Sequence, residues 1–192
     1  MITIPHPSLA LNSIDFDPAF HYALQYEETI YLSHSVRAIV TIILVCANNS
    51  ADRLNVVINS HGLPGEIYLG EGIVDCQWAA LEPELMRLRG RINTLYLCCC
   101  KVASGPVGAA FCQRLADLID ANVIASEMYQ RSTGWDHEFL SNRTPRDMID
   151  DFEGMTWRFR PNLPRVQFSF VPVTVSYEGR LAPMTCSAIA GS

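Results

Sequence analysis

Leu54-Asn55-Val56-Val57-Ile58-Asn59-Ser60-His61-Gly62 is the stretch on which the fold turns. Four of its first six residues are apolar, and Val56, Val57 and Ile58 are β-branched. This run reads as a strand. The strand stops at Ser60-His61-Gly62, and Leu63-Pro64-Gly65 has the chemistry of a turn.

Downstream, Ile67 to Gly70 reads as a hairpin arm. Asp75 is a candidate helix cap, and Pro83 suits the first turn of a helix running to Arg89, with Gly90 ending it. Ile92-Asn93-Thr94-Leu95-Tyr96-Leu97 is the next strand, and it runs into Cys98-Cys99-Cys100. From Pro106 to Asp120 the apolar residues Val107, Ala110, Phe111, Leu115, Leu118 and Ile119 recur at helical spacing. Asn122 to Ala125 is a further strand.

Upstream, Thr29 to Leu32 reads as a strand. The segment from Val36 to Ala47 is rich in β-branched residues, which favours a strand, yet its length, Ser35 as N-cap and the Asn48-Asn49-Ser50 stop favour a helix. Topology decides between them. Parallel strands need a crossover of a dozen or more residues, so a buried helix is expected between strands at 28–32 and 54–60. Residues 1–25, which carry two early prolines, read as an irregular lead-in. Residues 127–160 read as polar loop. From 165 to 178 Val166, Phe168, Phe170, Val173 and Val175 alternate, which suggests one or two antiparallel edge strands. The expected architecture is α/β: a three-layer sandwich on a mostly parallel central sheet, with an antiparallel C-terminal edge. It is one domain over 1–192, with a core at about 28–128 and an extension at 129–192.

Composition narrows the function. The chain has 192 residues, 49% of them hydrophobic and 18% charged, which suits a packed globular domain. Its net charge is −6 and it has no Lys/Arg cluster, so nucleic acid and anionic membranes are not expected partners. The seven cysteines are odd in number and three are consecutive, so they do not read as a disulfide framework; a reducing cytoplasm is expected. The first residues lack the features of a secretory signal, and the longest apolar run, Ala38 to Ala47, is too short to span a bilayer. Export by a signal-less route leaves no mark in composition. His6, His21, His34 and His137 have no partners at metal-ligand spacing, and Cys-Cys-Cys without a second cysteine pair is a poor zinc site. No metal or cofactor is expected.

In open parallel sheets, sites form at the C-terminal ends of strands. His61 lies just past one strand and Cys100 just past the next. A thiolate is a nucleophile, and an imidazole beside it can take its proton and later protonate a leaving amine. Gly62 lets its backbone N–H approach a bound carbonyl, and with the N–H of Cys100 it forms a candidate oxyanion hole. Strand alternation puts Cys98 and Cys100 on the same face, so the run leaves the reactive thiol open among Cys98, Cys99 and Cys100.

The segment Asn55 to Gly62 resembles the strand-then-His-Gly motif of caspase-like (clan CD) cysteine peptidases, a group that includes caspases, gingipains, separases and bacterial CHAT domains. Leu95-Tyr96-Leu97-Cys98-Cys99-Cys100 resembles the second motif, a hydrophobic strand ending in the nucleophile. Lys101 to Gly105, Gly108, Phe111, Leu115-Ala116 and Val123 to Ser126 are similar to the continuation in bacterial caspase-like domains. The resemblance covers about residues 28–128. It implies a cysteine endopeptidase acting on protein or peptide substrates, with His61 as base, Cys100 as nucleophile and Gly62 supporting the oxyanion. It also implies a pocket built from strand ends and loops near this pair, to which Glu127, Met128 and Asp136 would contribute by position; an acidic lining would favour Lys or Arg. A bacterial effector, toxin or defence protease is the biological setting it suggests. A caspase-like interaction module without activity and a Cys–His deamidase or acyl-transfer toxin are the alternatives.

Overall fold

The computed structural model describes residues 1–74, 78–130 and 144–169. Its centre is a seven-stranded sheet. In chain order these strands are β2 (Ser8–Ser13), β3 (Tyr26–Ile30), β4 (Leu54–Asn59), β8 (Ile92–Cys98), β9 (Asn122–Ser126), β11 (Thr156–Arg160) and β12 (Leu163–Gln167). Across the sheet they run β12-β11-β9-β8-β4-β2-β3. The five strands from β3 to β9 are parallel, and β11 and β12 add an antiparallel C-terminal edge. A small sheet of β5 (His61–Leu63), β6 (Glu66–Tyr68) and β7 (Ile73–Val74) follows β4. A two-stranded ribbon pairs β1 (Ile2–Thr3) with β10 (Met148–Ile149).

The crossovers are α1 (Val36–Asn48), α2 (Trp78–Leu85) and α3 (Gly105–Ile119). The sheet order determines where they go. The steps β3 to β4, β4 to β8 and β8 to β9 all move toward the same edge, and right-handed crossovers moving one way lie on one face. The single backward step, β2 to β3, must then cross on the opposite face through residues 14–25. The two cores obey this rule. One joins Val36, Ile39 and Ile43 of α1, Leu81 and Leu85 of α2, and Phe111 and Leu115 of α3 to Leu9, Val56, Leu95 and Val123 of the strands. The other joins the alternate strand residues Ala10, Val57, Tyr96 and Ile124 to Ile2, Ile4, Tyr22, Leu24 and Ile149. The sheet is covered on both faces as expected, but all three helices lie on one of them. Among the described residues, the opposite layer is irregular chain with the short 3-10 turn Pro18–Phe20, and the β1–β10 ribbon.

The β-branched segment at 36–48 is a helix, as the crossover argument requires. Ser35 Oγ accepts from the Ala38 N–H at 3.2 Å, and Glu71 Oε1 accepts from the Val36 N–H at 2.9 Å, so two free helical donors are satisfied, one of them by a carboxylate at the positive end of the helix. Pro83 lies inside α2 rather than in its first turn, and a 3-10 turn at Met86–Leu88 closes the segment.

Two expectations fail. Residues 8–13, read as lead-in, form β2, a wholly buried strand between β3 and β4. Ser8, Asn12 and Ser13 hid it, because those polar residues are buried at the strand's ends. Residues 156–160, read as loop, form β11, whose Trp157 and Arg158 pair with Ala125 and Ile124. The sheet therefore draws on chain outside 28–128 at both ends. The edge strand expected in 165–178 begins at Leu163, and its continuation from residue 170 lies outside the described residues. Among the described residues, no helix is long and apolar enough to cross a membrane.

Candidate functional site

Parallel register brings the two sequence motifs together. Asn59 of β4 pairs with Cys98 of β8, so the chains leave the sheet side by side, and His61 and Cys100 each lie two residues farther on. Both line one cavity of about 200 Å³ at these strand ends. Gly62 shows how closely the two chains approach. A Cβ there would lie 2.9 Å from Cys99 Cβ, 3.0 Å from the Glu66 carbonyl oxygen and 3.3 Å from the Cys100 carbonyl oxygen. A glycine is needed because the backbone after His61 rests on the Cys99–Cys100 backbone. Pro64 and Gly65, the latter at φ +79°, then turn β5 into β6, and the Gly65 N–H donates to the Val102 carbonyl at 3.1 Å. Gly62→Ala is expected to cost about 1–3 kcal/mol through overpacking against backbone. An unchanged urea midpoint for that variant would contradict this packing.

The three cysteines have separate environments. Leu97 and Cys99 face the helical core, whereas Tyr96 and Cys98 face the opposite core. Cys99 is fully buried, and its Sγ lies 3.4 Å from Ser60 Oγ. Burial pushes its thiol up to about 12 from the ordinary 9.0. Cys98 is half-buried on the cavity, and its thiol is raised by burial first and then by its electrostatic coupling to Cys99 and Asp150. Cys100 is half-buried on the same cavity, and its Sγ donates to the Gln130 carbonyl at 3.8 Å. Immediately after it Lys101 takes a left-handed conformation, φ +55°, and its N–H donates to the Met128 carbonyl at 2.8 Å. The chain thus turns sharply at the cysteine, and Ala103 N–H is tied to the Ser126 carbonyl at 3.2 Å.

The raised thiols have a consequence for stability. A buried thiol with a raised pKa stays neutral when folded but ionises in the unfolded chain. Its contribution is therefore complete below pH 9 and is lost as pH rises toward 12, by about 1.4 kcal/mol per pH unit for Cys99 alone. Cys98 and Cys112 shift in the same direction, also chiefly through burial. Urea midpoints should fall between pH 8 and pH 10, and Cys99→Ala should reduce that slope. Equal midpoints at the two pH values would refute this.

The opposite wall comes from the β2–β3 connection. Asn12 Oδ1 accepts from Asn59 Nδ2 at 2.9 Å and from the Tyr22 N–H at 3.0 Å, and Asn12 Nδ2 donates to the Tyr22 carbonyl at 3.1 Å. Asn59 Nδ2 also donates to the Phe20 carbonyl at 2.9 Å. These two asparagines pin residues 14–22 across the strand ends and set Phe16, Phe20 and Tyr22 on the cavity. The Phe16 and His61 rings meet edge-on, with centroids 4.6 Å apart and planes at 69°. Tyr22 Oη donates to Asp150 Oδ2 at 3.2 Å, and Asp150, just past β10, is buried on the cavity. Burial first, then the electrostatic influence of Cys98 and Asp150, holds Tyr22 well above its usual pKa, so its hydroxyl remains a donor.

The structure brings His61, Gly62 and Cys100 together. It does not bring Glu127 or Met128 to the cavity. Glu127 Oε1 accepts from Trp157 Nε1 at 2.7 Å and lies 3.6 Å from Arg165, so its carboxylate belongs to the β11–β12 edge. Met128 lies over Gly154, where a Cβ would collide with its side chain. These strand-end residues turn toward the late strands β11 and β12, which the sequence did not place beside them. Asp136 lies outside the described residues. Sequence reading missed Phe16, Tyr22 and Asp150, which come from segments taken as lead-in or loop. The available signal was the pair of asparagines in apolar settings, Asn12 and Asn59, since buried amides require partners.

No curated protein and no solved structure matches the chain. A family model described as "Domain of unknown function (DUF4347)" matches residues 20–138, a stretch that contains Tyr22, His61 and Cys100 and stops short of Asp150. The chain therefore belongs to the DUF4347 family.

Proposed function

We propose that this chain is a cysteine endopeptidase of caspase-like type, with Cys100 as nucleophile and His61 as base. The observation that carries the proposal is the shared cavity, reached by His61 and Cys100 two residues beyond register partners on adjacent parallel strands. In the proposed reaction His61 takes the thiol proton, and Cys100 Sγ attacks a peptide carbonyl to form a C–S bond. The backbone N–H groups of Gly62 and Cys100 hold the oxyanion. The C–N bond breaks as His61 returns the proton to the amine, leaving a thioester. Water, deprotonated by His61, then releases the acid and restores the thiol. Reactive thiols fit a reducing compartment, which supports a cytoplasmic setting.

The test is hydrolysis of a mixed peptide library by the wild-type chain, read by mass spectrometry, with Cys100→Ala alongside. Cleavage lost in the variant supports the proposal. Selective alkylation of Cys100 without cleavage would turn the reading to a deamidase or other acyl transfer. A Cys100 that is no more reactive than Cys99 would favour an interaction module.

A further inference from the structure

We infer that Phe16 is a positioning residue for His61, holding the imidazole in the orientation from which it serves Cys100. This rests on the dyad proposed above and adds to it a group that no sequence motif contains.

Register puts the two rings together before any side-chain contact does. Asn12 of β2 pairs with Asn59 of β4, and the asparagine side chains hydrogen-bond across the pair. His61 lies two residues beyond Asn59 and Phe16 four beyond Asn12. Between Asn12 and Phe16 the chain is held by Ile14 N–H to the Ile30 carbonyl at 3.0 Å and by Phe16 N–H to the Ser13 carbonyl at 3.2 Å. Phe16 is therefore delivered by the sheet edge and a short turn, not by a long free loop.

His61 needs such a neighbour. It is an exposed residue, and an exposed imidazole rotates among several orientations on a fast timescale. A base that must meet a thiol in one geometry loses efficiency with each orientation it samples. The edge-on contact at 4.6 Å is a preferred packing of two aromatic rings, and it restrains the imidazole at the cavity that both residues line. The Gly62 contact fixes the backbone of this segment, and Phe16 fixes the ring. Phe16 lies outside residues 20–138, so the family match does not include it.

The experiment measures alkylation of Cys100 by iodoacetamide, followed by peptide mass spectrometry. It compares wild type, His61→Ala, Phe16→Leu, Phe16→Tyr and the double variant Phe16→Leu/His61→Ala. Phe16→Leu should slow alkylation about 10- to 100-fold, Phe16→Tyr should retain the wild-type rate, and Phe16→Leu should add nothing once His61 is alanine. Loss of rate in Phe16→Leu that persists undiminished in the His61→Ala background would overturn the inference, because Phe16 would then act on the thiol or the fold. If His61→Ala slows alkylation and Phe16→Leu does not, the dyad stands and the inference falls. If His61→Ala leaves the rate unchanged, both fall together. Should Phe16→Leu fail to fold, ring-to-ring nuclear Overhauser contacts between Phe16 and His61 in the wild-type chain test the geometry directly, and their absence overturns it.

Discussion

Cys100→Ala is expected to lower peptide hydrolysis by about a thousandfold or more, with little change in stability. Removing a covalent nucleophile takes away the whole acyl-enzyme route and leaves only what binding and the oxyanion donors supply. The neighbouring cysteines should behave differently. Cys99 is a core residue packed between Gly62 and the helical layer, so Cys99→Ala should cost about 1 kcal/mol of stability and spare the chemistry that remains folded. Cys98 sits on the cavity with a thiol raised by burial and by Asp150, so at neutral pH it holds its proton. Three single alanine variants, each read by a urea melt and by hydrolysis, therefore separate three roles along three consecutive residues. Equal losses of activity in all three, or a larger loss for Cys98→Ala than for Cys100→Ala, would reassign the nucleophile.

The second large effect is expected at Asn12. Its side chain makes three hydrogen bonds, to Asn59, to the Tyr22 N–H and to the Tyr22 carbonyl, and it is buried. Asn12→Ala leaves three buried polar groups to find other partners, at roughly 1 kcal/mol or more each, so a loss of about 3 kcal/mol is expected. The loss should reach function too, because these bonds hold Phe16, Phe20 and Tyr22 across the strand ends. Asn93→Ala is the matched control. Its amide donates to Asn55 Oδ1 at 3.0 Å from an exposed position, so the change removes one hydrogen bond and should cost about 1 kcal/mol. A urea midpoint for Asn12→Ala close to that of Asn93→Ala would show that the asparagine pair does not hold the wall.

The parts of the fold legible in sequence were those whose signal is local or follows from chain topology. β4 and β8 announce themselves by apolar runs, α3 by its spacing, and α1 by the crossover that two parallel strands demand. β2 was not legible, because a strand in the middle of a sheet ordinarily shows apolar residues throughout, and Ser8, Asn12 and Ser13 replace them with buried hydrogen-bonding groups. The same residues explain the partial reading of the site. His61, Gly62 and Cys100 stand in motifs at strand ends. The aromatic wall and Asp150 reach the cavity only through long-range pairing of β2 with β4 and of β1 with β10, which no local pattern encodes. Glu127 was misplaced for the complementary reason. Its partners, Trp157 and Arg165, lie about thirty and forty residues later in chain that reads as loop and edge.

The single backward step of the sheet has an evolutionary consequence. Because β2 to β3 crosses on the face away from α1, α2 and α3, one side of the cavity is a connection rather than part of the framework. Connections tolerate insertion, deletion and substitution far better than strands. Residues 14–21 could be lengthened or rewritten without breaking a ladder hydrogen bond of the sheet, provided the two asparagines kept their grip and Phe16 kept its place against His61. Homologues that share the His61–Cys100 side of the pocket are thus free to diverge in what they admit, and lineage-specific selectivity should be written in this short stretch, most of which precedes the family match.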